Sequence, residues 1–406
     1  MKGSYCMKLK VTRRELYHFV ITFLLVMAGM NFLNQFFYFF LAAIVLAIAA
    51  HRRIVIDASA VCLMLVGLSW VIFSPTGMDS ITNMIKPMLY VLAYFAGACY
   101  LSYSCKNKNA GEIERIFIRM TVLLSVGPFI HYLLNMIDNW GVSERNTIDF
   151  WAKTVLSATN QAAMSCMAIS ISIGALFAKV EKKYKWLSVA VLLLGAIYNL
   201  TLAGRTIFAI IVIVAVISCI YLYVNSKRSR KSKIVLSIVL IAAGLVLCYI
   251  YDAFGLKSAI VESNFYYRFF GKNAYHDIES DTRMARKLLF ITHFSTGIFG
   301  GARLRNSGIG YAHDIILDTF DEAGLVAFVA MVVFLIRSGR VFWRFMKLSK
   351  IQMASKQIVM SLYIAQLLQF IVEPVLQGAP WMFAMFCFQS GMLGVFLKLQ
   401  ARADAA

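Results

Sequence analysis

Charge is what this chain has least of. Asp, Glu, Lys and Arg make up 15% of its 406 residues, against roughly 25% in an average soluble protein, and 60% of the chain is hydrophobic. That scarcity excludes a soluble enzyme. The same low polarity excludes disorder. The apolar residues also run on continuously where a transmembrane barrel would alternate. The eight cysteines, at 6, 62, 99, 105, 166, 219, 248 and 387, fall in apolar runs or on the side read below as cytoplasmic. Neither an external disulfide nor a zinc knuckle is therefore available. No internal repeat or low-complexity tract is evident.

What is present is apolar sequence in helix-length blocks, with a mean hydropathy of +0.72. A hydrocarbon core about 30 Å thick takes about 20 apolar residues per helix. Runs near 16–33, 35–50, 58–74, 81–104, 116–136, 158–178, 186–203, 206–224, 234–251, 315–336, 357–373 and 380–398 predict twelve spans in an all-α integral membrane bundle. On that reading, 1–251 holds nine helices, 252–314 one long extracytoplasmic loop, 315–400 three helices and 401–406 a dispensable tail. The first apolar segment has the basic start of a signal peptide but reads as a retained anchor, since nothing soluble follows it.

Forty basic residues against twenty acidic give a formal charge of +20. With the basic amino terminus in the cytoplasm, alternation puts 28 of the 40 on that face, in loops such as Lys106–Arg119, Lys179–Lys185 and Arg337–Lys356. This is the positive-inside bias, so most of the excess charge reflects topology and argues against nucleic acid as a partner. The same blocks predict contact with anionic lipid headgroups. Both termini are expected in the cytoplasm.

Twelve cations remain outside: Lys86, Arg145, Lys153, Arg205 and eight in the 252–314 loop, namely Lys257, Arg268, Lys272, Arg283, Arg286, Lys287, Arg303 and Arg305. They run against the orienting bias, and a loop of such length between short ones is usually functional. Residues 283–295 place Met284, Leu288 and Ile291 on one helical stripe flanked by Arg283, Arg286 and Lys287, as in a helix lying in the headgroup plane with its cations toward phosphates. An ordinary lipid-anchoring helix would look the same. Arg205, in Leu-Ala-Gly-Arg-Thr between two apolar runs, fits a snorkelling helix-end arginine or a bidentate ligand for a phosphate or pyrophosphate.

His313 opens the tenth span in Ala-His-Asp-Ile-Ile-Leu-Asp-Thr-Phe-Asp-Glu-Ala-Gly. The apolar run Ala323–Ile336 is too short to cross unless the helix begins near Ile315, which puts Asp318, Asp321 and Glu322 at or below the outer interface. Asp314, Asp318 and Asp321 share a stripe that suits a helix amino terminus or, with less support from the spacing, a divalent cation. An imidazole outside the membrane core and beside an arginine-rich loop has the setting of a general base next to a bound anion.

The string from Gly300 to Gly324, a Gly-Gly turn followed by Ala-His-Asp-x-x-Leu-Asp and a glycine, resembles the histidine motif of the bacterial O-antigen ligase and polymerase superfamily. Gly204-Arg205-Thr206 resembles that family's Ser-Arg-Thr or Ser-Arg-Gly element, and Arg283 its loop arginine. Asp149-Phe150-Trp151 with Ala158-Thr159 resembles a stretch of capsule and exopolysaccharide polymerases. The similarity covers roughly residues 145–380. Two departures stand out: Asp314 replaces the usual Asn, and the loop between Arg283 and His313 is shorter than in typical ligases.

The resemblance implies a metal-independent, cofactor-free, inverting glycosyltransferase of the GT-C type in the bacterial cytoplasmic (inner) membrane, serving capsule or lipopolysaccharide synthesis. Its substrates would be an undecaprenyl-pyrophosphate-linked oligosaccharide and a hydroxyl acceptor on another lipid-linked repeat unit. A chain-length regulator and a flippase are the protein partners it implies. His313, with Asp314, is then expected to be catalytic, and Arg205, Arg283, Arg286 and Arg303 to hold the pyrophosphate. A ligase acting on lipid A core is the nearest alternative. A transporter of lipid-linked sugars would instead carry paired broken helices near the midplane, and a pure scaffold would tolerate loss of the external cations. The short loop and the Asp-Phe-Trp segment favour the polymerase.

Overall fold

In the computed structural model, the described residues are 12–51, 54, 56–75, 81–142, 146–202, 204–226, 251, 261, 266 and 282–405. In chain order the elements are α1 (Arg13–Gly29), α2 (Phe36–His51), α3 (Ala58–Phe73), α4 (Ile81–Ser104), α5 (Ala110–Asp138), β1 (Asn146–Ile148), β2 (Val155–Ser157), α6 (Ala158–Phe177), α7 (Lys182–Thr201), α8 (Arg205–Val224), α9 (Thr282–Thr292), α10 (Ile315–Lys347), α11 (Met353–Val372), α12 (Val375–Gly378) and α13 (Pro380–Ala405). Helices coincide with eleven of the twelve apolar runs. The run 234–251 and the first part of the long loop, 252–281, lie outside the described residues except for 251, 261 and 266.

Among the described residues, eight helices are long and apolar enough to cross a membrane: α4–α8, α10, α11 and α13; α2 and α3 are shorter apolar helices. Their outward faces carry large exposed apolar side chains, including Leu193, Val212, Ile220, Val326 and Ile336. In water such a surface would drive association; in a multi-pass membrane protein it meets lipid. Inward, aromatic rings make the core, with Phe334, Phe370, Phe383 and Phe386 in mutual edge and stacked contacts.

Hydrogen bonds fix which loops share an end of the bundle. Arg14 donates to the Lys106 carbonyl (3.1 Å), the Gln352 amide to Glu114 (3.1 Å) and the Gln400 side chain to the Ala110 carbonyl (2.8 Å). The basic segments at 13–14, 106–108 and 347–356 are therefore gathered at one end. Capping boxes start two helices there, Thr12 with Glu15 on α1 and Asn109 with Glu112 on α5, each satisfying amide donors that a helix start leaves open. Segments that follow one helix length later lie at the opposite end, where Thr206 of α8 meets Glu373 just beyond α11 (2.7 Å).

The expectation for α10 holds at its start and changes beyond it. The helix begins at Ile315, capped by Asp314, but runs on to Lys347 past Arg337, Arg340 and Arg344. At Gly324 it is broken, with φ +79° and ψ −173°. Leu325–Lys347 alone spans about 34 Å at about 1.5 Å per residue. The acidic segment Ile315–Ala323 thus becomes a half-helix at the site end rather than the top of a straight span.

Candidate functional site

Glu373 is the centre of the cluster. Pro374 follows it, and a residue before proline is driven to extended backbone; Glu373 accordingly sits at φ −134°, ψ 149° and ends α11. Phe370, one turn earlier, is locked against Phe383 and Phe386 at ring-centroid distances of 5.5 and 5.1 Å, so the helix end is rigidly placed. The carboxylate is 3% exposed and lies at the end of a helix where the macrodipole is negative. Both conditions disfavour an anion.

Partners from two other segments offset that cost. Thr206 donates to Oε1 (2.7 Å). Arg283 grips the carboxylate with Nη1 3.2 Å from Oε1 and Nη2 donating to Oε2 at 3.3 Å, while Nη1 also donates to the Val372 carbonyl (3.0 Å). His313 brings Nδ1 to 4.0 Å from Oε2. The Gly-Arg-Thr element, the loop arginine and the histidine, far apart in sequence, thus converge on one carboxylate. Arg205 opens α8 beside Thr206; its side chain lies outside the described ones.

The amphipathic helix expected at 283–295 is α9, and its apolar stripe of Met284, Leu288 and Ile291 is exposed. Its cations, however, turn into the protein. Arg283 reaches Glu373, Arg286 Nη1 lies 3.3 Å from His313 Nε2, and Lys287 pairs with Asp314 (3.2 Å) and donates to the Ile371 carbonyl. Carboxylate and carbonyl acceptors lie on the protein side of α9, and charge-assisted hydrogen bonds to them hold these cations there. Arg303, on the neighbouring turn, is exposed and has no ion pair among the described residues.

His313 has a left-handed backbone, φ +57°, a conformation uncommon outside glycine and one in which histidine is enriched. The turn is set by the acidic stripe. Asp318 accepts from the amides of Ala312 (2.8 Å) and Asp314 (3.2 Å), and Asp314 Oδ1 caps α10 through the amides of Ile316 and Leu317. Asp321 accepts from the amides of Leu304 and Arg305, and Glu322 takes Ser74 and Arg305, each at 2.8 Å. The stripe therefore serves backbone geometry and holds the 300–313 loop in place.

Gly324, the glycine that closes the His313 string, sits at a tight crossing. Its break lets the chain at 298–302 lie along α10: Leu325 donates to the Ile298 carbonyl, and Gly301 and Ala302 donate to the carbonyls of Glu322 and Asp321. A Cβ on Gly324 would come within 2.7 Å of the Ile298 oxygen, and one on Gly300 within 2.7 Å of the Gly324 nitrogen. Only glycines fit this crossing.

The Asp-Phe-Trp segment forms the turn of the β1–β2 hairpin, in register Asn146 with Ser157 and Ile148 with Val155. Asp149 accepts from the Trp151 and Ala152 amides (2.9 and 2.7 Å) and faces His131 Nε2 of α5 at 3.0 Å. Burial alone would raise its pKa, but the hydrogen bonds from His131 and the two amides hold it below the usual carboxylate value. Asn135 and Asn139 of α5 bind the hairpin backbone as well. The segment is a pinned plug over α5 and α6, apart from the Glu373 cluster in these contacts.

Sequence reading missed Glu373. The signal was present: an acidic residue ending an apolar run, followed by proline, at the outer end of a predicted span. An ionisable group at such a depth is a functional candidate by default. Attention to cations on that face passed over the anion that organises them. No family model matches the sequence, and no curated protein matches it.

Proposed function

We propose that the protein is a glycosyltransferase of the GT-C type that joins lipid-linked repeat units of a bacterial surface polysaccharide at the extracytoplasmic face of the cytoplasmic membrane, with both termini in the cytoplasm. The observation that carries this reading is the convergence of Arg283, Arg286, Thr206 and His313 around Glu373 at the end of the bundle away from the basic loops. Positive charge placed against the orienting bias is thereby gathered at one point, beside a titratable imidazole.

The chemistry follows from where charge develops. Breaking the anomeric bond leaves its electron pair on a lipid diphosphate. Fixed guanidinium donors lower the energy of that state more than that of the substrate. Arg283 and Arg286 are the donors this reading assigns, and the resemblance adds Arg205, the residue that opens α8. His313 Nε2 accepts the acceptor's hydroxyl proton as the oxygen attacks the opposite face of the sugar, inverting it. The exposed apolar stripe of α9 suits contact with an isoprenoid tail.

The test is purified protein supplied with lipid-linked repeat units. His313→Ala is expected to lower polymer formation by at least about 100-fold, the lower range for loss of a general base, with unchanged insertion and melting. Extension at the wild-type rate removes the base assignment. Transfer to lipid A core but not to a lipid-linked repeat would make the protein a ligase instead.

A further inference from the structure

A carboxylate in the middle of a diphosphate site needs a reason, because it competes with the substrate for the same guanidinium. Glu373 is buried, stands at the negative end of α11 and is bound by Arg283 and Thr206. Its Oε2 also lies 4.0 Å from His313 Nδ1, too far for a hydrogen bond yet within reach of a small side-chain rotation. On the other edge of the imidazole, Arg286 Nη1 lies 3.3 Å from Nε2. Arginine has only donors, so Nε2 must be the acceptor and the ring proton sits on Nδ1, facing the carboxylate. The tautomer is that of a base whose lone pair points to Arg286 and whose N–H points to Glu373.

From this geometry we infer that Glu373 is a positioning residue that responds to substrate, holding Arg283 as seen here and passing to His313 when a diphosphate takes Arg283. The inference rests on the transferase reading above. A diphosphate offers a guanidinium paired oxygens and more charge than one carboxylate. Once it is bound, a carboxylate beside it is repelled, and the Nδ1–H is the donor toward which Oε2 already leans. There it stabilises the imidazolium that forms during transfer. The diphosphate also draws Arg286 off Nε2, which frees that lone pair; the acceptor's O–H proton then moves to Nε2, its oxygen bonds to the anomeric carbon, and the bond to the diphosphate breaks with its electron pair leaving on the phosphate oxygen. Glu373 remains ionised throughout. The base is thus strengthened when the donor is loaded and left weaker when it is not.

The test separates affinity from turnover, using undecaprenyl diphosphate as the binding probe and lipid-linked repeats for turnover. Glu373→Gln keeps the size and removes the competing charge. It is expected to bind the diphosphate about 10-fold more tightly, the size of an ordinary coupling between sites, and to turn over about 100-fold more slowly. A residue that only supports the fold would weaken both together, and that result overturns the inference. If the Gln variant fails to insert, Glu373→Asp decides. Affinity within about twofold of wild type with turnover down about tenfold supports the inference, and an equal fall in both opposes it. Wild-type protein that does not bind the diphosphate at all would overturn the transferase reading itself, a result distinct from either variant's.

Discussion

Asp314 neighbours the imidazole in the chain, but both of its carboxylate oxygens are turned to the protein. Oδ1 caps α10 and Oδ2 pairs with Lys287 at 3.2 Å. Asparagine and aspartate are about equally good at a helix amino cap, so the Asp found where the resembling family has Asn keeps the local structure. Asp314→Asn is expected to retain the cap, lose a partly exposed ion pair, and keep turnover within about fivefold of wild type, in line with the small worth of such pairs. Asp314→Ala should lower stability by about 1 kcal/mol through loss of the cap. Thermal unfolding in detergent and turnover on the same samples check both. A fall of about 100-fold in the Asn variant without a change in melting would instead place the carboxylate on the reacting atoms. At this scale the sequence singled out His313, Arg283 and the Gly-Arg-Thr element by their spacing, and the structure brings His313, Arg283 and Thr206 together at Glu373. Glu373 itself was not singled out, because a single acid before a proline has no spacing to recognise.

Helices were legible as elements because each buries or exposes one long apolar run, and length alone separates them from strands. What length could not convey was the break in α10, since one glycine inside an apolar run is compatible with a straight helix. Nor could periodicity say which way the cations of α9 would turn: a polar face is readable in one sequence, but the acceptors it meets come from α11 and from the turn before α10. The break makes its own prediction. At φ +79°, ψ −173° only glycine is comfortable, and a side chain there costs about 1–3 kcal/mol; Gly324→Ala would add a clash with the Ile298 carbonyl. Gly308, at φ +94°, has nothing within 4 Å of an added Cβ, so Gly308→Ala pays the backbone cost alone. Gly324→Ala is therefore expected to melt lower than Gly308→Ala and to lose most of the transfer activity proposed above as the 298–302 chain is pushed off α10. Equal melting of the two variants would mean that the crossing is not tight.

Taken whole, the molecule is polarised along the bundle axis. The end that joins Arg14, Lys106, Glu114 and Gln352 collects most of the described cations, while the end that holds Glu373, His313 and the β1–β2 hairpin keeps few and pairs several of them with carboxylates. A cation retained in a cytoplasmic loop orients insertion; a cation carried to the far face gains nothing from that rule and is explained there by what it binds. The two ends must then lie on opposite sides of the membrane. Lys153, in the hairpin, and Lys183, at the start of α7, have side chains 62% and 67% exposed, and both are outside the candidate site. With Lys153→Cys and Lys183→Cys in intact cells, a membrane-impermeant maleimide should label the first at once and the second only after the membrane is opened. The chain with only its eight native cysteines, treated in parallel, sets the labelling background. Labelling of Lys183→Cys from outside, with Lys153→Cys protected, would turn the molecule over, place the Glu373 cluster in the cytoplasm, and remove any route by which a glycan carried on the outer leaflet could reach His313.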